Sequence, residues 1–331
     1  MPLDVAIEHQ RQQDALLLGV LGSLNRSWSR MTPYLDTSWS QVVGPRVLAA
    51  TTRGQEEAAR LGAAYVPEAM AAQRLASSQV ATPELATLVG IASDGRPLAS
   101  LLYGAVVRAG RAMNAGVQAP TALAQGGEWL RQAAITQVSD AGRAGSSLAM
   151  VSMPSATAWM RMVNPGACSR CIILAGRHYW TEGFKRHPQC RCTMIPTAEN
   201  IDGDVGTDPR TYFDSLTSAQ QDKTFGVSGA QAIRDGADMN QVVNARRNAR
   251  DSVSTAQVYG RELLVTTEGV TARGAARTAM LRAGYASETV RVRGSRYARL
   301  KVPRLMPESI YQIATDRADA LRLLKLYGFI L

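Results

Sequence analysis

"SDGRPLASLLYGAVVRAGRAMNAG" occupies residues 93–116, and its reading decides the fold class. Asp94 stands where a helix cap is expected, Pro97 lies just inside the start, and Gly116 marks the end. Between them Leu98, Leu102, Ala105, Ala109 and Met113 recur at helical spacing and share one face. The flanking stretches repeat the pattern. "RQQDALLLGVLGSL" places Leu17, Val20, Leu21 and Leu24 on one face, and Pro33 and Pro45 interrupt or restart the pattern. "QEEAARLGAAYV" reads as another short helix, and "PTALAQGGEWLRQAAITQVSDAG" reads as helical despite Gly126-Gly127. "PSATAWMRMVNPG" is expected to be a short helix stopped before Pro165.

The second half is more broken. "TAENIDGDVGTDPR" is a turn-rich linker. Residues 212–247 read as three short helices separated by glycines, "ELLVTT" is a strand candidate, and residues 306–331 read as two short helices with an apolar tail. Hydrophobic residues make up 46% of the chain but aromatics only 6%, a balance that suits closely packed helices better than a sandwich of strands. The expected class is mainly α, or α+β overall. It has a helical N-terminal half, a compact Cys-rich metal knuckle with short strands, and a mixed basic C-terminal region. The expected divisions are 1–95, a helical region; 96–200, carrying the cysteines; and 201–331, containing a basic segment at 240–305.

All four cysteines fall within "CSRCIILAGRHYWTEGFKRHPQCRC", residues 168–192. Cys168-x-x-Cys171 has the spacing of a zinc knuckle, where a tight turn directs two thiolates at one ion. Cys190-x-Cys192 puts both thiols on one face of an extended chain, and His187-x-x-Cys190 adds another chelating pair. Five donors compete for four tetrahedral positions: Cys168, Cys171, Cys190, Cys192 and His187. Four cysteines, or three cysteines with the histidine, both satisfy zinc in a structural role, with a slight lean to the four cysteines. Apolar runs are too short to span a membrane, and the acidic start "MPLDVAIEHQ" does not read as a signal peptide. A reducing cytoplasm, where disulfides are rare, is therefore expected. A redox CxxC would need a βαβ context, and the expected helix before Cys168 does not provide one.

Net charge is +10, and it is unevenly placed. Residues 1–150 carry 12 cations against 11 acids, residues 151–239 carry 9 against 9, and residues 240–305 carry 13 against 4. Arg246, Arg247 and Arg250 form one basic group. Arg291, Arg293, Arg296, Arg299, Lys301 and Arg304 form another, with Arg291 and Arg293 alternating as on one strand face. These residues are candidates for non-specific contact with the phosphates of double-stranded DNA.

No catalytic constellation is legible, so no enzyme is expected. There are three histidines: His9 reads as a solvated surface group, and His178 and His187 lie in or beside the cysteine loop. "FGVSGAQ" lacks the G-x-S-x-G spacing, Glu182 is the only acid in the loop, and phosphate-loop and dinucleotide fingerprints are absent.

The module "WMRMVNPGACSRCIILAGRHYWTEGFKRHPQCRCTMIP" resembles that of the phage Mu F-like minor head proteins, actinobacterial tailed-phage type. It carries Trp159, the Cys168/Cys171 pair, Leu174 to Gly176, Tyr179, His187-Pro188, Cys190, Cys192 and Pro196. The resemblance continues through "DPRTYFDSLTSAQQDKTFGVSGAQAIRDGADMNQVVNARR" and "TTEGVTARG" to "RLMPESIYQIATDRADALRLLKLYGFI", covering roughly residues 95–331. It implies a minor capsid or head-morphogenesis protein of low copy number, located inside the capsid near the portal and present in host cytoplasm during assembly. Implied partners are the portal and the major capsid or scaffold proteins. Some relatives are described as capsid maturation proteases and others fuse the module to toxins; neither activity is supported by these residues. The alternative is a zinc-containing nucleic-acid-binding protein that contacts DNA through the basic segment.

Overall fold

The computed structural model describes residues 3–187, 190–199, 201, 206–271, 273–291 and 298–331. Helices account for 57% of it, and the strands form small antiparallel sheets, so the class is α+β with a helical N-terminal half. The chain divides into two compact units: Met1–Ala167 with Leu174–Asp208, and Cys168–Ile173 with Pro209–Leu331.

The first unit is built on α1 (Asp4–Trp28), α2 (Leu35–Ser38), α3 (Gly44–Ala72), α4 (Leu98–Asn114) and α5 (Ala119–Val151). The apolar stripes of α1 and α4 are buried as their spacing requires: Leu17, Val20 and Leu24 from α1 join Leu98, Leu102 and Ala105 from α4 in one core. Small residues let α3 and α5 approach backbone to backbone. A Cβ on Gly62 would stand 2.1 Å from the Gly142 carbonyl oxygen, and one on Gly145 would stand 2.2 Å from that of Ala59. Only glycine permits this crossing.

Several local expectations change here. Asp94 does not cap α4; its carboxylate engages Arg96, and Pro97 itself precedes the first helical residue. Pro45 does not break the chain, because residues 35–72 run helically through a π turn at Trp39–Val43 and the ring sits in the first turn of α3. "QEEAARLGAAYV" is the middle of this 29-residue helix.

The largest correction concerns "PSATAWMRMVNPG". It forms a strand, β1 (Ala158–Met162), paired antiparallel on one side with β2 (Gly176–Tyr179) and on the other with β3 (Thr193–Thr197). All five β1 residues are buried. The segment is too short to gain much as a helix, whereas a central strand satisfies its backbone on both edges and buries Trp159, Met160 and Met162.

The second unit opens with the short helix α6 (Ser169–Ile173) and continues through α7 (Pro209–Ser215), α8 (Ser218–Phe225), α9 (Val227–Arg234), α10 (Met239–Asn244) and α11 (Ala249–Ser252). The stretch read as three helices thus holds four (α7 to α10), with Gly226 and Gly236 at positive φ ending α8 and α9. A hairpin follows. β4 (Val253–Val258) and β5 (Arg261–Thr266) are joined by Tyr259 and Gly260, both at positive φ, which matches the twist of the flanking strands. β5 is the strand expected at "ELLVTT". The remaining elements are α12 (Ala275–Arg282), β6 (Thr289–Val290), β7 (Arg299–Leu300), β8 (Arg304–Leu305), α13 (Pro307–Ile313) and α14 (Arg317–Leu326). β5 lies between β4 and β8, and β6 pairs with β7.

Candidate metal centre

Two pairs of donors are each joined by a backbone hydrogen bond. In Cys168-x-x-Cys171 the Cys171 N–H donates to the Cys168 carbonyl at 3.0 Å, and Cys171 is buried in the middle of α6. In His187-x-x-Cys190 the Cys190 N–H donates to the His187 carbonyl at 3.1 Å. Cys190 and Cys192 then lead into β3, both buried, while Arg191 between them is exposed and pairs with Asp14. This alternation is that of an extended chain, so both thiols face the same way. All four cysteines are thiols rather than disulfides. The thiols of Cys168 and Cys171 lie within 4.8 Å of each other, as do those of Cys190 and Cys192. This Cys/His cluster could hold a metal ion, and its sulfur-rich donor set fits zinc.

The segment leading to Cys190 is anchored by residues that sequence reasoning passed over. Asp140 on α5 accepts from Ser93 Oγ at 2.6 Å, Arg143 at 2.9 Å and Arg186 Nε at 2.8 Å. Arg143 also donates to the Cys190 carbonyl, and its guanidinium lies over the Phe184 ring at 4.9 Å. Burial lowers the Arg143 pKa, while Cys190, Asp140 and Cys192 act in the opposite direction. The available sequence signal was an i,i+3 Asp–Arg pair on a helix otherwise lined with small residues. On β1, Arg161 is fully buried, donates to the Lys185 carbonyl at 2.6 Å and also lies over the Phe184 ring, at 3.8 Å. Trp159 donates to the Glu182 carbonyl at 3.1 Å and stacks on His178 at 4.2 Å.

His178 is therefore a packing residue of β2. Its ring nitrogens meet the Leu174 carbonyl at 3.0 Å and Glu182 at 3.4 Å. His9, expected in solvent, is buried and stacked on Tyr65 at 4.2 Å, and burial lowers its pKa to about 4.

Residues 8–219 match the model of the VG15 protein family, more than half of the chain and all of the cysteine cluster. The chain belongs to the VG15 protein family. This is a family of phage proteins, which agrees at that level with the resemblance read from the module. No curated protein and no solved structure matches the chain. No helix among the described residues is long and apolar enough to cross a membrane.

The candidate DNA-contacting residues of 240–305 meet different fates. Arg304 must be withdrawn. It is buried on β8, donates to the carbonyls of Tyr327 at 2.9 Å and Gly328 at 3.1 Å, and lies over the Phe329 ring at 3.9 Å. A guanidinium enclosed in this way cannot meet a phosphate. Arg246 pairs with Glu308 and Lys301 pairs with Glu288. Arg247, Arg250 and Arg291 are exposed, and Arg299 is half-buried in β7. Arg293 and Arg296 lie outside the described residues, so the strand face expected for Arg291 and Arg293 is described only at Arg291, just past the end of β6.

Proposed function

We propose that this chain is a structural minor capsid or head-morphogenesis protein of a tailed phage, of low copy number, inside the head near the portal, and not an enzyme. The observation that carries the reading is the cysteine module, which lies within the phage-family match and is wrapped on β1 by Arg161 and Trp159. Portal and major capsid or scaffold proteins are its proposed partners. Mass spectrometry of purified procapsids and mature heads tests this: the protein should be present at low copy number, and its absence from both sinks the reading.

Within this reading, four of Cys168, Cys171, Cys190, Cys192 and His187 hold one structural zinc. A closed site of this kind contributes folding energy, on the order of 10 kcal/mol in small zinc modules. Elemental analysis should find about one zinc per chain. Cys168→Ser or Cys190→Ser should lose it and loosen the module, whereas folded, metal-free protein would overturn the assignment. Retention of zinc in Cys192→Ser with loss in His187→Ala would identify the three-cysteine set. DNA contact through residues 240–305 is the weaker alternative, because Arg246, Lys301 and Arg304 are already engaged.

A further inference from the structure

In the first unit, Ser23, Arg26 and Ser27 lie on one face of the last turns of α1, and Arg30 follows in the next turn. On α3, Arg46, Ala49, Ala50 and Arg53 repeat the same i, i+3, i+4, i+7 spacing. These two faces line one open cleft of about 480 Å³. Its floor is made of small side chains, and its rims carry four exposed arginines.

The arginines are not neutralised by the protein. Among the described residues, no carboxylate lies within 4.0 Å of Arg26, Arg30, Arg46 or Arg53, whereas Arg11, Arg60, Arg131 and Arg143 of the same unit are all ion-paired. Among the described residues, the only side-chain hydrogen bond made by any of the four guanidinium groups is from Arg26 to Ser23 Oγ, at 3.2 Å. A helix macrodipole favours cations at the C-terminal end of α1, but it gives no reason for Arg46 and Arg53 in the first half of α3. Four like charges held together unpaired raise the local potential and attract a polyanion. Along α3 the charges are about 10 Å apart, given a rise of about 1.5 Å per residue. That calls for a ligand with successive charges rather than a single small anion.

We infer that this cleft is a nucleic-acid contact: the four arginines bind successive backbone phosphates of DNA without reading bases. The inference is independent of the zinc site and of the place of the protein in the head. Only phosphate-directed chemistry is present, since the cleft offers guanidinium, hydroxyl and methyl groups and no planar amide for a base edge.

The test uses the full chain, a short labelled duplex of arbitrary sequence, and fluorescence anisotropy over a range of salt. The variant Arg26→Gln/Arg30→Gln/Arg46→Gln/Arg53→Gln should bind at least about tenfold more weakly at low salt. It should also flatten the slope of log affinity against log salt by about three to four, at roughly 0.9 per phosphate. Circular dichroism should show an unchanged helix signal, because all four sites are exposed. If the quadruple variant does not fold, the pair Arg46→Gln/Arg53→Gln should give about half the change in slope. An unchanged slope, or no DNA binding by the wild type at low salt, overturns the inference. So does a loss confined to a variant of Arg246, Arg247, Arg250 and Arg291. Inorganic phosphate at matched ionic strength should not displace the duplex. Displacement as efficient as by unlabelled duplex, phosphate for phosphate, would mark a site for free phosphate and overturn it too.

Discussion

Between residues 240 and 305 thirteen cations stand against four acids, while residues 1–150 are nearly neutral at twelve against eleven. Charge density along the chain points to the first segment as the polyanion surface. In three dimensions the contrast is less simple, although Arg247, Arg250 and Arg291 of the dense segment do stay exposed. The dense segment directs Arg304 into its core and pairs Arg246 and Lys301, whereas the neutral half leaves Arg26, Arg30, Arg46 and Arg53 unpaired around one cleft. Glycine and alanine contacts between α3 and α5 need no charged side chain to fill space, so arginines beside them can stay on the surface. Each unit nevertheless uses an arginine as part of its interior, Arg161 on β1 in the first and Arg304 on β8 in the second.

The largest expected effect breaks or upholds that reading of Arg304. Arg304→Met should cost about 3–5 kcal/mol in urea unfolding, since it strips the donors from the carbonyls of Tyr327, Gly328 and Glu268. A cost below about 1 kcal/mol would return Arg304 to the surface set.

His9 sharpens the comparison, because it is a buried base with the opposite outcome. Arg304 is surrounded by carbonyls, whereas His9 Nδ1 has no hydrogen-bond partner, so burial favours the neutral ring. Above pH 6.5 folded and unfolded chains both hold it neutral, and nothing is lost. As pH falls from 6.5 towards about 4, the unfolded chain takes up a proton that the folded chain refuses. Stability should drop by about 3 kcal/mol over that window. Carboxylates also take up protons over this range, so the measurement is the difference between wild type and His9→Phe. Parallel pH profiles for the two would show that His9 titrates normally.

The smallest effect belongs to the exposed pair. Lys301 and Glu288 are 3.1 Å apart with about 70% of each side chain in solvent. Lys301→Ala should change stability by no more than about 1 kcal/mol, and by less in high salt. A larger loss would mean that the β6–β7 ribbon depends on this pair.

What the sequence determined by itself was short-range. The apolar spacing of Leu98, Leu102 and Ala105, the stop at Gly116, the strand at "ELLVTT" and the turn at Cys168/Cys171 are all legible. Each depends on residues within one or two turns of chain, where backbone geometry and side-chain spacing act directly. Tertiary structure decided the rest. "ATAWMRM" became β1 because β2 and β3, from later in the chain, supply partners on both of its edges. His9 lost its solvent to Tyr65 of α3, 56 positions away in the chain. Arg304 became interior because the end of α14 brings carbonyls to it, while Arg46 and Arg53 stayed exposed beside Arg26 and Arg30 because α1 and α3 pack together. A local pattern specifies which way a side chain points from its own element. What covers that side chain, and whether its charge is answered there, depends on segments far away in sequence, whose approach is set by burial of the whole core.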